Sequence, residues 1–300
     1  MKKALIWIAA SLMVMGIVLF AVAMYLVDFD FTKVSNVKYL TNTYEFSVKE
    51  FNKLDLDTIT ADVEFRKSED DTCRIVCFEH EKMLHDVYIK DHTLMVSVED
   101  TRSWIEHITI FNIKVPTVTV YLPEGEYNAL KIENTTGDVK ISGNWNFSSI
   151  DLNTTTGDID VSGVTCQGDM FAKVTTGKTT LKNLVCKNLT ANGTTGDLML
   201  NNVLVSDTMR AKCSTGDIKF DGCDAGEVYI KCTTGDVTGT FLTPKVIFAN
   251  STTGKVDVLE TEVTATEGAY SSAYFDGTNC VVFAKDKNFV TVNIITGRAR

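Results

Sequence analysis

The chain has 300 residues, a formal charge of −10, and only three prolines beside nineteen glycines. That length suffices for one large domain or two ordinary ones, and the acidity argues against nucleic acid or an anionic membrane surface as partner, since both select for Lys and Arg. Abundant Thr, Val and Asn, with glycine at intervals, predict many short strands joined by turns instead of long helices.

At the N-terminus, Met1-Lys2-Lys3 precede an almost uncharged apolar run from Ala4 to Val27. At about 1.5 Å per helical residue this run reaches across a hydrocarbon core of about 30 Å. Lys2 and Lys3 stay on the cytoplasmic side and Asp28 and Asp30 follow the run, so we expect a single-pass anchor over residues 1–27 with the rest exported. A cleaved signal peptide is the competing reading. Ala21-Val22-Ala23 offers a small-x-small site, but the run is long for such a peptide and continues past it. Residues 28–45 read as a polar juxtamembrane stalk and residues 46–300 as one β domain.

From Phe46 to Leu122 the strand signals are long and irregular, the clearest being Leu94–Val98 and Thr117–Leu122. We read this part as the membrane-proximal start of one sheet system. It contains four residues able to ligate a metal within thirteen positions: Cys73, Cys77, His80 and His85. The spacing matches no common zinc finger, which separates its Cys pair from its His pair by a long loop. Histidines five apart would also diverge by about 140° around a helix, so no zincin motif is present. A surface hairpin is the simpler expectation, with no metal and no cofactor.

Beyond Leu122 the chain repeats. The tetrads are Thr135-Thr136-Gly137-Asp138, Thr155-Thr156-Gly157-Asp158, Thr175-Thr176-Gly177-Lys178, Thr194-Thr195-Gly196-Asp197, Ser214-Thr215-Gly216-Asp217, Thr233-Thr234-Gly235-Asp236 and Thr252-Thr253-Gly254-Lys255. Successive glycines lie 20, 20, 19, 20, 19 and 19 residues apart. Aligned on them, the columns seven and five residues before are apolar throughout, as in Leu130/Ile132 and Ile150/Leu152, and those two and four after are mostly so, as in Val139/Ile141. Polar residues alternate with them at period two, the mark of half-buried strands. A second corner falls six residues after the glycine, at Gly143, Gly163, Asn183, Asn202 and Gly222, residue types that accept positive φ.

A coil of about twenty residues cannot bury its aliphatic face alone; stacked at about 4.8 Å it joins a continuous core. The expected architecture is therefore all-β, a single-stranded parallel β-solenoid whose regular repeats run over 130–261, each coil being strand, corner, short strand, corner, short strand. Gly would make the left-handed corner, stacked threonines a hydroxyl ladder, and Asp a backbone cap in the turn. Ca²⁺ bound along the Asp column is the rival, but Lys178 and Lys255 interrupt that column. Thr60-Ala61-Asp62-Val63 reads as a degenerate first tetrad and Ile295-Thr296-Gly297 as a last one about two coils on.

Cys166 stacks on Cys186 and Cys213 on Cys232 in this alignment, as disulfides or as buried thiols. Six residues before the glycine, Phe171, Arg210, Tyr229 and Phe248 form an outward strip that could bind carbohydrate or protein unless the C-terminal segment covers it. Gly177-Lys178-Thr179 imitates the end of a P-loop, but Ala172 stands where its first glycine belongs.

One N-terminal membrane helix, a strand ending Leu122-Pro123-Glu124-Gly125, and serial Thr-Thr-Gly-Asp coils together resemble a bacterial candidate-adhesin family of β-strand repeat proteins whose domain has no assigned function. The resemblance covers roughly Phe46 to the C-terminus. It implies a cell-envelope β-solenoid without catalytic residues to carry over. The functional expectation is a non-catalytic surface protein, adhesin or scaffold, facing wall polymer or a protein partner. The rivals are a carbohydrate-active β-helix enzyme and an envelope-stress sensor with a membrane partner.

Overall fold

The computed structural model describes residues 2–26, 28, 38–102, 114–242, 246–254, 256–257, 270–275, 279–284 and 289–294. Helix α1 (Lys2–Leu26) is 25 residues long and therefore about 38 Å. Most of its described apolar side chains, among them Trp7, Leu12, Leu19 and Leu26, are exposed. It is long and apolar enough to cross a membrane.

All described strands belong to one sheet system wound into a parallel solenoid. Strands β1 (Tyr39–Ser47), β2 (Lys53–Thr58), β3 (Asp62–Lys67), β4 (Thr72–His80), β5 (Met83–Lys90), β6 (Thr93–Asp100) and β7 (Thr117–Leu122) build the N-terminal end of the solenoid. The regular coils follow as β8 (Glu126–Thr136) with β9 (Val139–Ser142), β10 (Asn146–Thr156) with β11 (Ile159–Ser162), and β12 (Thr165–Thr176) followed by β13 (Thr179–Thr195), in which a short strand runs on into the next long one. Then come β14 (Leu198–Val205), β15 (Thr208–Thr215), β16 (Ile218–Cys223), β17 (Glu227–Thr234), β18 (Val237–Phe241), β19 (Val246–Thr253) and β20 (Val256–Asp257). The far end carries β21 (Tyr270–Phe275), β22 (Asn279–Ala284) and β23 (Phe289–Ile294). In the first coils the expected third side merges into the next long strand, through a register shift in β12; in β14 it continues the short strand instead, with Val203–Val205 paired to Leu184–Cys186 of β13.

The columns read from the sequence are the core. Leu54, Leu130, Ile150, Met170, Leu189, Met209 and Val228 stack in register, all buried in one continuous cluster. Each such side chain contributes about 1.5–3 kcal/mol by leaving water.

The coils do not stack in chain order at the N-terminal end. β2 lies between β6 and β8, with Leu54 opposite both Leu94 and Leu130, and β3 lies between β7 and β9. The coil of residues 53–67 is therefore inserted between residues 93–122 and the first regular coil. Antiparallel strands close this end: β5 on β6, and β4 on β7 with β1 outside it. The expected stalk of residues 28–45 is corrected here, because the chain is already β1 from Tyr39, paired to His80. At the far end β23 pairs in parallel with β19, and β22 and β21 continue antiparallel. Ser251 opposes Ile294, the register a final tetrad at Thr296-Gly297 demands, although that tetrad lies outside the described residues. Among the described residues of that 43-residue gap, β21 and β22 form a hairpin and β23 makes one coil step onto β19.

Two corners differ in what they tolerate. At Gly157 φ is +135° and a Cβ would sit 2.1 Å from the Gly137 carbonyl oxygen; at Gly222 φ is +59° and a Cβ would meet nothing within 4 Å. Asn183 and Asn202 hold that second corner at φ 51° and 52°, with Asn202 Nδ2 donating to Asn183 Oδ1 at 2.9 Å. Gly157→Ala should cost more than about 3 kcal/mol or prevent folding, whereas Gly222→Asn should change stability by less than about 1 kcal/mol. Urea denaturation of both variants measures the difference.

Candidate functional site

The tetrad corner is a backbone device. The N–H of each tetrad glycine donates to the carbonyl of the threonine before the next glycine, as from Gly137 to Thr156 at 2.9 Å and from Gly196 to Thr215 at 2.9 Å. In the opposite direction, each Asp carboxylate accepts the N–H of its counterpart one coil on. Asp62 Oδ1 takes Asp138 N at 2.8 Å, Asp138 takes Asp158 at 3.0 Å, Asp158 takes Lys178 at 2.7 Å, Asp197 takes Asp217 at 2.8 Å and Asp217 takes Asp236 at 3.0 Å. Asp62 confirms the degenerate first tetrad. Lys178 ends one run because it offers no acceptor, and Lys255 lies outside the described residues. The tetrad threonines are mostly solvent-exposed. Among the described residues the side-chain bonds that climb this edge are thus made by Asp and not by the expected hydroxyl ladder, although the second threonine of each tetrad stacks on its counterpart, as Thr156 does on Thr136 and Thr176.

The four candidate ligands separate. Cys77 and His85 come together with Glu79, their donor atoms within 4.8 Å of one another and all buried. Cys73 points into the core along β4, while His80 accepts Lys82 N–H at its Nδ1 and packs edge-on to Tyr39. The hairpin is therefore half-buried: Cys77, Glu79, Met83 and His85 face inward, while Lys82, Leu84 and Asp86 are exposed as a surface hairpin requires. Glu79 accepts from Asn42 Nδ2 (2.6 Å), His85 N (2.6 Å) and His85 Nδ1 (2.7 Å). His85 Nε2 is buried without a partner. Cys77, Glu79 and His85 are the residues here that could hold a metal, but Glu79 already has donors on both oxygens. Sequence reasoning missed Glu79, although it continues the inward alternation of Cys73, Ile75 and Cys77.

The stacked cysteines are in register, Cys166 on Cys186 and Cys213 on Cys232. They and Cys73, Cys77 and Cys223 are free and buried. Burial pushes the thiols of Cys73, Cys77 and Cys186 up to about 12, so thiolate chemistry is suppressed. Cys213 and Cys232 instead hydrogen-bond the Gly196 and Gly216 carbonyls at 3.2 and 3.3 Å.

The outward strip is assembled as the alignment implies. Phe171 opposes Thr190, Thr190 opposes Arg210, Arg210 opposes Tyr229, and Tyr229 opposes Phe248; the Phe248 side chain lies outside the described residues. The Arg210 guanidinium sits 4.9 Å from the centre of the Tyr229 ring, and the Tyr229 hydroxyl donates to Glu227 at 3.0 Å. Two residues along, a second outward column holds Lys173, Asn192, Lys212 and Lys231, which alignment on hydrophobicity alone passes over. Aligning charge as well finds it.

Two measurements follow from these contacts. The Asp236 N–H, with Lys219 beside it, holds the Asp217 carboxyl below the usual carboxylate range. A depressed folded-state pKa contributes stability above the unfolded value of about 3.9 that is lost as pH falls through the folded value. Asp217→Ala should therefore cost about 1 kcal/mol at neutral pH and progressively less below pH of about 4, in urea melts at both. Iodoacetamide at pH of about 8 should leave Cys73, Cys77, Cys166, Cys186, Cys213, Cys223 and Cys232 unmodified in the folded chain and alkylate all of them in urea. A mass short by two hydrogens would instead reveal a disulfide.

No curated protein matches this chain in sequence. Among solved structures it is similar to a candidate adhesin from Bacteroides fragilis, at 20% identity and a TM-score of 0.51 over 73% of this chain and 96% of that one. A candidate adhesin from Parabacteroides distasonis matches at 14% identity and a TM-score of 0.47, covering 73% and 97%. A candidate cell adhesion protein from Clostridium sporogenes matches at 11% and 0.40, covering 74% and 99%. The first supports the fold and nothing finer. The family profile described as Toastrack DUF4097 matches residues 51–288, from just before β2 to just before β23, and the chain belongs to that family.

Proposed function

We propose that this protein is a non-catalytic interaction protein of the cell envelope, held by α1 with Lys2 and Lys3 inside and presenting its solenoid outside as an adhesin or scaffold. The observation that carries this reading is the uniformity of the coils. From β8 to β18 each strand stacks in register on the next, so the described surface between the corners is flat and repetitive. A carbohydrate-active enzyme needs acids and bases converging in a groove. Here the carboxylates of the corner are engaged by backbone N–H groups, and His80 and His85 are buried in the cap. The Bacteroides structure is called a candidate adhesin, in agreement with this reading.

Full-length chain in detergent, immobilised and challenged with isolated wall polysaccharide and with membrane extract, tests the proposal. Retention of one of these should fall tenfold or more on Tyr229→Ala. Shortening of the polysaccharide would refute the non-catalytic reading. Co-purification of one membrane protein at fixed ratio would favour the stress sensor instead.

A further inference from the structure

The long strands present one continuous outward face, made by the columns six and four residues before each corner glycine. Its charge is segregated along the solenoid. Near the N-terminal end stand Asp55, Asp57, Glu133 and Asp151 with Lys131, which lies 3.7 Å from Asp55 and 3.3 Å from Glu133. Partial burial, and then the Glu133 charge, raise the Asp57 carboxyl above its usual range, and Asp151 is raised likewise. Past the middle stand Lys173, Arg210, Lys212 and Lys231, and among the described residues from β12 to β17 neither column holds a carboxylate. Lys212 and Lys231 are register partners, like charges about 4.8 Å apart, which destabilises a sheet. Stacking on Tyr229 holds the Arg210 guanidinium flat and leaves its in-plane N–H groups available. Glu227, at the edge of this half, is engaged by the Tyr229 hydroxyl.

We propose that this face is a self-recognition surface on which a second copy of the chain docks antiparallel. The inference rests on the outward placement of the solenoid and names the partner. Consider a two-fold axis lying along the strands, midway between the coil of Phe171 and the coil of Thr190. It sets Asp151 of one copy against Arg210 of the other, Glu133 against Lys231, Lys131 against the Tyr229 ring, and Lys173 against Asn192. No like-charged pair meets in either column. A two-fold axis along the solenoid sets each coil against itself, so that Arg210 and Lys212 meet their own counterparts or each other. Charge therefore selects the antiparallel arrangement and rejects the parallel one. Antiparallel docking sends the two α1 helices to opposite ends. The face joins copies held in two different membranes and repels copies side by side in one.

The contact is about 30 Å long and about 15 Å wide, from coil and residue spacings. That is roughly 450 Å² per copy and about 900 Å² for the pair, below the standard size for a stable complex, so single contacts are weak and many anchored copies must act together.

Full-length chain reconstituted in neutral phosphatidylcholine vesicles tests this by light scattering. Wild-type vesicles should cluster at about 50 mM salt and disperse at about 1 M. Vesicles carrying only R210E/K231E, or only E133K/D151R, should each cluster at least tenfold less. Mixing the two populations should restore clustering. The acids introduced in the first variant then face the bases introduced in the second, and the first variant's own Asp151 still faces the second's own Arg210. Circular dichroism melts confirm that both variants, altered only at outward positions, stay folded. Wild-type vesicles that fail to cluster, or a mixture no better than either variant alone, overturn the proposal. If R210E/K231E instead abolishes retention on an anionic wall polysaccharide while vesicles never cluster, self-recognition is wrong and the envelope interaction role survives. If neither clustering nor retention is seen, both fail.

Discussion

The structure depends on how closely one coil can lie on the next at the tetrad corner. There the α-carbon of one glycine rests over the carbonyl of the glycine below, with a hypothetical Cβ 2.1–2.4 Å from the neighbouring oxygen along the column from Gly137 to Gly235. Any side chain would prise the coils apart beyond hydrogen-bonding distance. Once the backbones meet, the period of 19 to 20 residues, the parallel register and the vertical alignment of the aliphatic columns all follow, because every coil must return to the same corner. The Asp carboxylates add a second link at the same place, bonding an N–H that the ladder of carbonyls leaves over.

That corner is legible in the sequence because it repeats. A column such as Leu130, Ile150, Met170 and Leu189 announces a shared environment without any knowledge of pairing. What does not repeat is not legible. Periodicity reports local surroundings and says nothing about which coil lies beside which, so the insertion of β2 and β3 between coils later in the chain leaves no signature. Strand β1 reads as stalk because its partner β4 is antiparallel and in an irregular stretch. The threonines mislead for another reason: they alternate as strand residues should, but they stand where the strand bends, and there alternation no longer sorts inside from outside.

The caps answer a problem the coils create. A parallel solenoid ends in rows of unpaired backbone groups that invite edge-to-edge aggregation. At the N-terminal end β4, β1 and β5 cover them, and the knot of the partly buried Asn42 with the buried Glu79 and His85 ties these three strands together. A carboxylate buried without donors costs several kcal/mol. Only one register of β1, β4 and β5 brings the Asn42 amide and the two His85 donors to Glu79, so a slip by one residue would strand the charge. The knot therefore specifies how the cap closes more than it adds to stability.

Because the corners and columns are committed to stacking, only the outward positions are free to vary, and the two faces vary differently. On the short-strand face, Glu64 opposes Lys140 and Lys140 opposes Asp160, opposite signs that stabilise the stack, and the column continues through the uncharged Thr180 and Met199. In the two central columns of the long-strand face, carboxylates gather at one end and cations at the other, with Lys212 directly opposite Lys231. Stacking alone favours the first pattern and is weakened by the second. The segregated pattern gains only when opposite charge arrives from outside, so the long-strand face is where a partner should be sought. The tetrad that makes the protein recognisable is where it should not.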